Sequence, residues 1–189
     1  TQLFKKWYNE KVFLIRHDVD FDISLAHELA LIEKEENVIS TFFILISSSH
    51  YNVLSSNNRR LLKEIIDMGH EIGLHFDPSL YNKKLRFNFE KEVEILNFAI
   101  NQKIKSTSIH NPSVHGTYPL FENYVNAYDQ KLFKDEYYLS DSRMLFSKKN
   151  PYKFLDKIKN SMLQILLHPM HYSVSGKGYD HIVCKSIKK

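Results

Sequence analysis

Short runs of apolar residues alternate along the chain with longer segments in which apolar residues recur every three or four positions. The first run, residues 12–15, leads directly into Arg16-His17-Asp18-Val19-Asp20. It is short and β-rich, which is typical of a strand buried on both faces of a parallel sheet. Similar runs predict further strands at residues 40–46, 70–77, 106–110, 137–143 and 164–168.

The segments between these strands have the spacing of amphipathic helices. Helices are predicted at residues 23–36, 59–68, 86–104, 119–131 and 151–159. Strand and helix alternate without a linker, so we expect one α/β domain over residues 1–189 with a parallel sheet. The pattern leaves two architectures open, a (β/α) barrel and an open doubly wound sheet.

Ionisable residues end most of the predicted strands, and a parallel barrel would bring those ends together on one rim. The residues at these ends are Asp18, Asp20, His75, Asp77, His110, Asp141, Arg143 and His168. Aspartate and histidine together suit a borderline divalent cation such as Zn²⁺. A catalytic site of this kind needs about three protein ligands, a base for water and an acid for the leaving group.

Asp18 and Asp20 are two positions apart and would point the same way from an extended strand. Their carboxylates would repel each other unless a cation or proton lay between them. A strand followed by an aspartate helix cap would give the same local pattern. His17 and His70 are interpreted as structural residues.

Composition narrows the choice of function. The chain has 189 residues and a net charge of +4, without an arginine-rich stripe or a basic patch interleaved with aromatics, so no nucleic-acid partner is predicted. Motifs for dinucleotides, P-loop phosphates, serine hydrolysis and paired cysteines are absent from the sequence. His70-Glu71 and His75 differ from the zinc-protease motif because the second histidine comes one position too late.

A single cysteine, Cys184, rules out an intramolecular disulfide and favours a reducing compartment, so a cytoplasmic location is predicted. A targeting segment ahead of Thr1 is left open as an alternative. No stretch has the length and apolarity of a membrane span, so no transmembrane segment is expected.

Several of these motifs, in this order, resemble the polysaccharide deacetylase family, carbohydrate esterase family four, which shares the nodulation-protein deacetylase homology domain. The most specific match is Met68-Gly69-His70-Glu71-Ile72-Gly73-Leu74-His75. The other matching segments are residues 16–20, 41–43, 110–113 and 166–168. The resemblance implies a single distorted (β/α) barrel, usually with seven parallel strands.

The resemblance also implies roles. Asp18 would be the general base, Asp20 and His75 metal ligands, and His168 the general acid. The implied reaction is the metal-dependent hydrolysis of an N-acetyl group on a sugar, with Zn²⁺ as the expected metal. The implied partner is an N-acetylated sugar or glycan precursor, and the branch resembled is one associated with surface-polysaccharide biosynthesis.

The chain departs from the family pattern at two positions. Ser79 stands where the family's second metal histidine is expected, so the third ligand would be Asp77, His110 or a water. Asn111 stands where the third motif usually carries an arginine that orients the base, and Arg143 is the candidate to replace it. These departures leave two alternatives: a catalytically degenerate glycan-binding domain of the same fold, and a metal-dependent hydrolase of another amide.

Overall fold

The computed structural model of the chain describes residues 1–6, 12–81, 83–142, 146, 149–155, 162–172 and 184. Within these residues the strands are β1 Phe13–Val19, β2 Thr41–Leu45, β3 Glu71–Phe76, β4 Ser106–Ile109, β5 Val125–Asn126, β6 Tyr138–Ser140 and β7 Leu163–Leu167. The helices are α1 Ile23–Glu35, α2 Ser56–Asp67, α3 Leu85–Ile100, α4 Pro112–His115 and α5 Pro151–Leu155. Short 3-10 helices lie at Phe4–Lys6, Pro78–Leu80, Asp135–Tyr137 and Pro169–His171.

The seven strands form one parallel sheet in the order β5-β4-β3-β2-β1-β7-β6. This is the cyclic order of a (β/α) barrel, opened between β5 and β6, and the sheet curls into a half-barrel. The predicted distorted barrel of seven parallel strands is therefore confirmed. No helix among the described residues is long and apolar enough to cross a membrane.

The concave side of the sheet is closed at the amino ends of the strands by the 3-10 helix Phe4–Lys6. The Phe4 ring packs edge-on against Phe43 with ring centroids 5.5 Å apart. The backbone N–H of Lys5 donates to Glu71 Oε2 at 3.0 Å, and Glu71 also accepts from the hydroxyls of Thr41 and Ser106 at 3.0 and 2.7 Å. The interior is thus filled at this end, which leaves the carboxyl ends of the strands for a site.

The convex side packs against α1, α2 and α3, and a buried polar network joins α1 to the sheet. His17 Nε2 lies 2.9 Å from Glu33 Oε1, and the Ser40 hydroxyl donates to the other carboxylate oxygen at 2.6 Å. The backbone N–H of Ser40 donates to His70 Nδ1, so the opposite nitrogen carries the proton and donates to Ala30 O at 3.1 Å. The structural interpretation of His17 and His70 is confirmed.

The helix predicted at residues 119–131 is wrong. The segment instead forms turns around the short strand β5. Val125 in this strand and Ala127 directly after it donate backbone N–H groups to Lys105 O and Thr107 O, both at 2.9 Å. Asn123 has a left-handed backbone with φ of 71°, and the Asn126 side chain donates to Pro119 O. Pairing with the exposed edge of β4 outweighs a weak helical pattern interrupted by asparagines.

Gly73 offers a sharp test of packing on the concave side of the sheet. A Cβ at this position would lie 2.6 Å from the Phe43 ring and 2.7 Å from Ser106 Oγ. Gly73→Ala is therefore expected to lower the free energy of unfolding by about 1–3 kcal/mol, measured by urea denaturation. The double variant Gly73→Ala/Phe43→Leu is expected to lose less free energy of unfolding than the sum of the losses in the two single variants. Additive losses would contradict the assigned clash.

Candidate metal centre and catalytic pocket

Three side chains from the ends of strands β1, β3 and β4 meet at the carboxyl edge of the sheet. Asp20 follows β1, His75 lies on β3 and His110 follows β4. Asp20 Oδ1 lies 3.4 Å from His75 Nε2 and 3.6 Å from His110 Nδ1, and the two histidine nitrogens are 3.1 Å apart. A tetrahedral zinc ion with bonds of about 2.1 Å separates its ligands by about 3.4 Å, so the three atoms fit one cation.

The burial and charge of these groups also fit a metal. Asp20 Oδ1 is buried and has no hydrogen-bond partner within the described structure. Burial alone would raise the pKa of Asp20, but the three nearby histidines, His110, His75 and His168, lower it to about 2. Burial lowers the pKa of His75. Burial alone would also lower the pKa of His110, but the adjacent Asp20 carboxylate raises it, so a metal ion would displace a proton from His110 on binding. An ionised carboxylate and a neutral imidazole are the forms that bind metal.

Asn111 supports His110 from the side away from the cluster. Its side-chain amide lies 2.9 Å from His110 Nε2. Metal-binding histidines usually have such a polar partner on the second ring nitrogen, which fixes the ring orientation. Asn111 has a left-handed backbone with φ of 44° and directly precedes α4, which places its amide beside the ring.

Asp77, the other residue predicted as a third ligand, lies outside this cluster. Its Oδ1 accepts hydrogen bonds from the backbone N–H and the hydroxyl of Ser79 at 2.9 and 2.6 Å. Asp77 thereby caps the 3-10 helix Pro78–Leu80. Of the three candidates that the sequence leaves open, the geometry favours His110.

Asp18 lies next to the cluster with one oxygen held and one free. Its Oδ2 is 3.5 Å from Arg16 Nη2, 3.6 Å from His75 Nε2 and 3.5 Å from Ser108 Oγ. Its Oδ1 is buried and has no hydrogen-bond partner within the described residues. A carboxylate anchored through one oxygen and free at the other is well placed to accept a proton.

His168 faces the cluster from β7 and is oriented by Asp141, which follows β6. His168 Nδ1 lies 2.6 Å from Asp141 Oδ1, and the His168 backbone N–H donates to Asp141 Oδ2 at 2.8 Å. His171 Nδ1 lies 3.0 Å from the same carboxylate. His168 Nε2 lies 4.0 Å from Asp20 Oδ2, on the cluster side. Burial alone would lower the pKa of His168, but Asp141 and the two other aspartates raise it.

A cavity of about 260 Å³ brings these groups together. Asp18, Asp20, His75, His110 and His168 all line it. An aromatic wall, defined here as Tyr118, Tyr128, Phe133 and Tyr138, lines it as well. Four of the strand ends predicted from the sequence therefore contribute to one site.

One predicted site residue is not in the described part of the chain, and several residues of the site were not predicted from the sequence. Arg143, predicted to orient the base, lies outside the described residues. Sequence reasoning missed Ser108 and the aromatic wall, which give no motif of their own. It also missed Arg16 as a site residue, although Arg16 is two positions before Asp18 and therefore on the same face of β1.

Comparison with solved structures identifies the fold. The peptidoglycan N-acetylglucosamine deacetylase Bc1960 matches with a TM-score of 0.55 and 19% identity, over 96% of this chain and 84% of that one. The chitin deacetylase of Colletotrichum lindemuthianum matches with a TM-score of 0.54 and 12% identity, over 94% and 81%. The chain has the fold of the CE4 deacetylases.

The same fold also occurs without activity among the matching structures. BA3943 of Bacillus anthracis, described as a CE4 family pseudoenzyme, matches with a TM-score of 0.52 and 19% identity. It is covered over 62% of its length, so this chain spans less than two thirds of that structure. No protein-family model matches the sequence, and no curated protein matches it either.

The three-ligand geometry predicts which variants lose metal. Asp20→Ala and His110→Ala are expected to weaken Zn²⁺ binding by at least about 100-fold because each removes a ligand, whereas loss of a supporting partner costs 10–100-fold. Asp77→Ala is the matched comparison and is expected to stay within about threefold of the wild type. Competition with a chromogenic zinc chelator measures all three. Equal losses in Asp77→Ala and His110→Ala would contradict the assignment.

Proposed function

We propose that the chain is a metal-dependent deacetylase that removes an N-acetyl group from a sugar, with Zn²⁺ as the metal. The observation that carries this proposal is the convergence of three kinds of group in one cavity. These are a three-ligand cluster at Asp20, His75 and His110, a carboxylate with a free oxygen at Asp18, and an imidazole paired with a carboxylate at His168.

Each group has a distinct part in the hydrolysis of an amide. A divalent cation held by the cluster would polarise the acetyl carbonyl and lower the pKa of a water molecule. Asp18 Oδ1 takes the proton from the attacking water. His168, held by Asp141 through Nδ1, gives a proton from Nε2 to the departing amine nitrogen. Breaking the carbon–nitrogen bond then releases acetate and a free amino sugar.

The size of the cavity favours a small substrate or the end of a larger one. About 260 Å³ is below the range of roughly 300–1,000 Å³ that is typical of pockets for drug-sized ligands. Tyr118, which is 46% exposed, presents its ring at the cavity and can stack on the apolar face of a sugar. We therefore favour a single N-acetylated sugar unit, within a glycan or a surface-polysaccharide precursor, as the group bound here.

Activity itself is the first test. Wild-type protein loaded with Zn²⁺ is expected to release acetate from at least one of two substrates, an N-acetylglucosamine tetramer and a nucleotide-linked N-acetylglucosamine. Asp18→Asn is expected to lower kcat by about 10²–10⁴-fold because it removes the base, with zinc content unchanged. Acetate is quantified by a coupled enzymatic assay, and wild-type protein treated with a chelator provides the blank.

Two outcomes would replace the proposal. Saccharide binding that is unaffected by chelators and by Asp18→Asn, without acetate release, would identify a catalytically degenerate glycan-binding domain. Turnover of other acylated amines but of neither sugar would indicate a metal-dependent hydrolase of another amide.

The Asp141–His168 pair predicts the pH dependence of the reaction. His168 must be protonated to act as the acid, so activity falls as the pH rises through its pKa. Because the hydrogen bond that His168 donates to Asp141 raises that pKa, Asp141→Asn is expected to move the basic limb of the kcat/KM profile to lower pH. Asp135→Asn, at a 95% exposed side chain, is the control and should leave the limb in place. An unchanged limb in Asp141→Asn would remove His168 from the acid role.

A further inference from the structure

Arg16 lies beside Asp18 on the same face of β1 and is completely buried. Its Nη2 is 3.5 Å from Asp18 Oδ2, with side-chain exposures of 0% and 3%. A pair so fully removed from water is weakly screened by solvent, so its attraction is stronger than that of a surface ion pair. Arg16 is thus a fixed positive charge directly behind the carboxylate.

The Arg16 guanidinium is locked in place by the aromatic wall. Its Nη2 donates to Tyr128 Oη at 2.7 Å. Its Cζ lies 4.5 Å from the centre of the Tyr128 ring and 5.8 Å from that of Tyr138. Hydrogen bonding and cation–π contacts together restrict the guanidinium to one orientation, which a single contact with Asp18 would not do.

This arrangement is costly for stability. Arg16 Nε and Nη1 are buried and have no hydrogen-bond partner within the described structure. Buried donors without partners each cost on the order of 1–3 kcal/mol, and an arginine kept only for packing usually satisfies more of them. Local violations of this kind are characteristic of functional sites.

Asn111, by contrast, does not provide a positive charge beside Asp18. Its side chain is a neutral amide, and it is engaged by His110 Nε2 at 2.9 Å. The described residues that line the cavity include no lysine or arginine. Among the described residues, the positively charged partner of Asp18 other than the histidines is therefore Arg16, which lies beneath the cavity.

We propose that Arg16 is the positioning residue of the catalytic base, supplied by the same strand as the base itself. Through the ion pair it anchors Asp18 Oδ2, so that Oδ1 remains the oxygen available to take a proton. Tyr128 and Tyr138 hold Arg16 for this task. The inference rests on the proposed function for its catalytic meaning, whereas the pairing of Arg16 with Asp18 can be tested without any turnover.

Kinetics test the catalytic part, with the N-acetylglucosamine tetramer as substrate. Arg16→Met is expected to lower kcat by about 100-fold, as misplacement of a catalytic group does, with KM and zinc affinity within about threefold of wild type. Arg16→Lys keeps the positive charge, and its kcat is expected to be about tenfold higher than that of Arg16→Met. Arg86→Met, at a 65% exposed side chain, is the control and should leave kcat unchanged.

Three results would overturn the catalytic part. One is an unchanged kcat in Arg16→Met. Another is a fall in zinc affinity parallel to the fall in kcat, which would show general damage to the site. The third is a larger loss in Arg143→Met than in Arg16→Met, which would assign the role to the arginine named from the sequence.

A stability cycle tests the pairing on metal-free protein. Arg16→Met, Asp18→Asn and the double variant are melted in the presence of chelator. The summed Tm losses of the single variants are expected to exceed the loss of the double variant by about 3 °C or more. Additive losses would show that the two residues do not interact and would refute the pairing. Wild-type protein that is inactive but shows coupling would refute the proposed function alone, and active wild type with a fully active Arg16→Met would refute the inference alone.

Discussion

Two carboxylates at the end of one strand repel each other, and the centre of this molecule is arranged to offset that repulsion. Asp18 and Asp20 are surrounded by basic side chains. Arg16 comes from the same strand, His75 and His110 come from the ends of β3 and β4, and His168 comes from the end of β7. A parallel sheet makes this arrangement available because every strand ends at the same edge. At the opposite end of the half-barrel, Glu71 accepts hydrogen bonds from the Lys5 backbone and the Thr41 hydroxyl, which helps to close the amino ends of the strands.

Asp18 and Asp20 are chemically identical but differ in their surroundings. Asp20 Oδ1 faces two imidazole nitrogens at ligand distance, which favours metal binding. Asp18 is held by Arg16 and Ser108 through one oxygen only, which leaves the other for proton transfer. The division of roles inferred from the family resemblance thus has a physical counterpart in the contacts that each carboxylate makes.

The parallel α/β class and part of the site could be predicted because both depend on local patterns, whereas the barrel architecture followed from the family resemblance. Apolar runs ending in Asp20, His75, His110 and His168 show in the sequence which residues reach the rim. The pairing of Asp141 with His168 could not be predicted, because it depends on β6 and β7 being neighbours in the sheet. The choice of His110 over Asp77 depends on a hydrogen bond between Asp77 and Ser79 that draws the carboxylate into a cap. Strand β5 was missed because two residues leave no periodic signal.

The 3-10 helix Phe4–Lys6 depends on contacts with residues that are far away in the sequence. The acceptor for the Lys5 backbone N–H is Glu71, 66 residues further along the chain, and Glu71 is itself held by Ser106. Contacts of such sequence separation carry a larger loop-closure cost than local ones. The full set of contacts around Glu71 can therefore form only when β2, β3 and β4 lie side by side in the sheet.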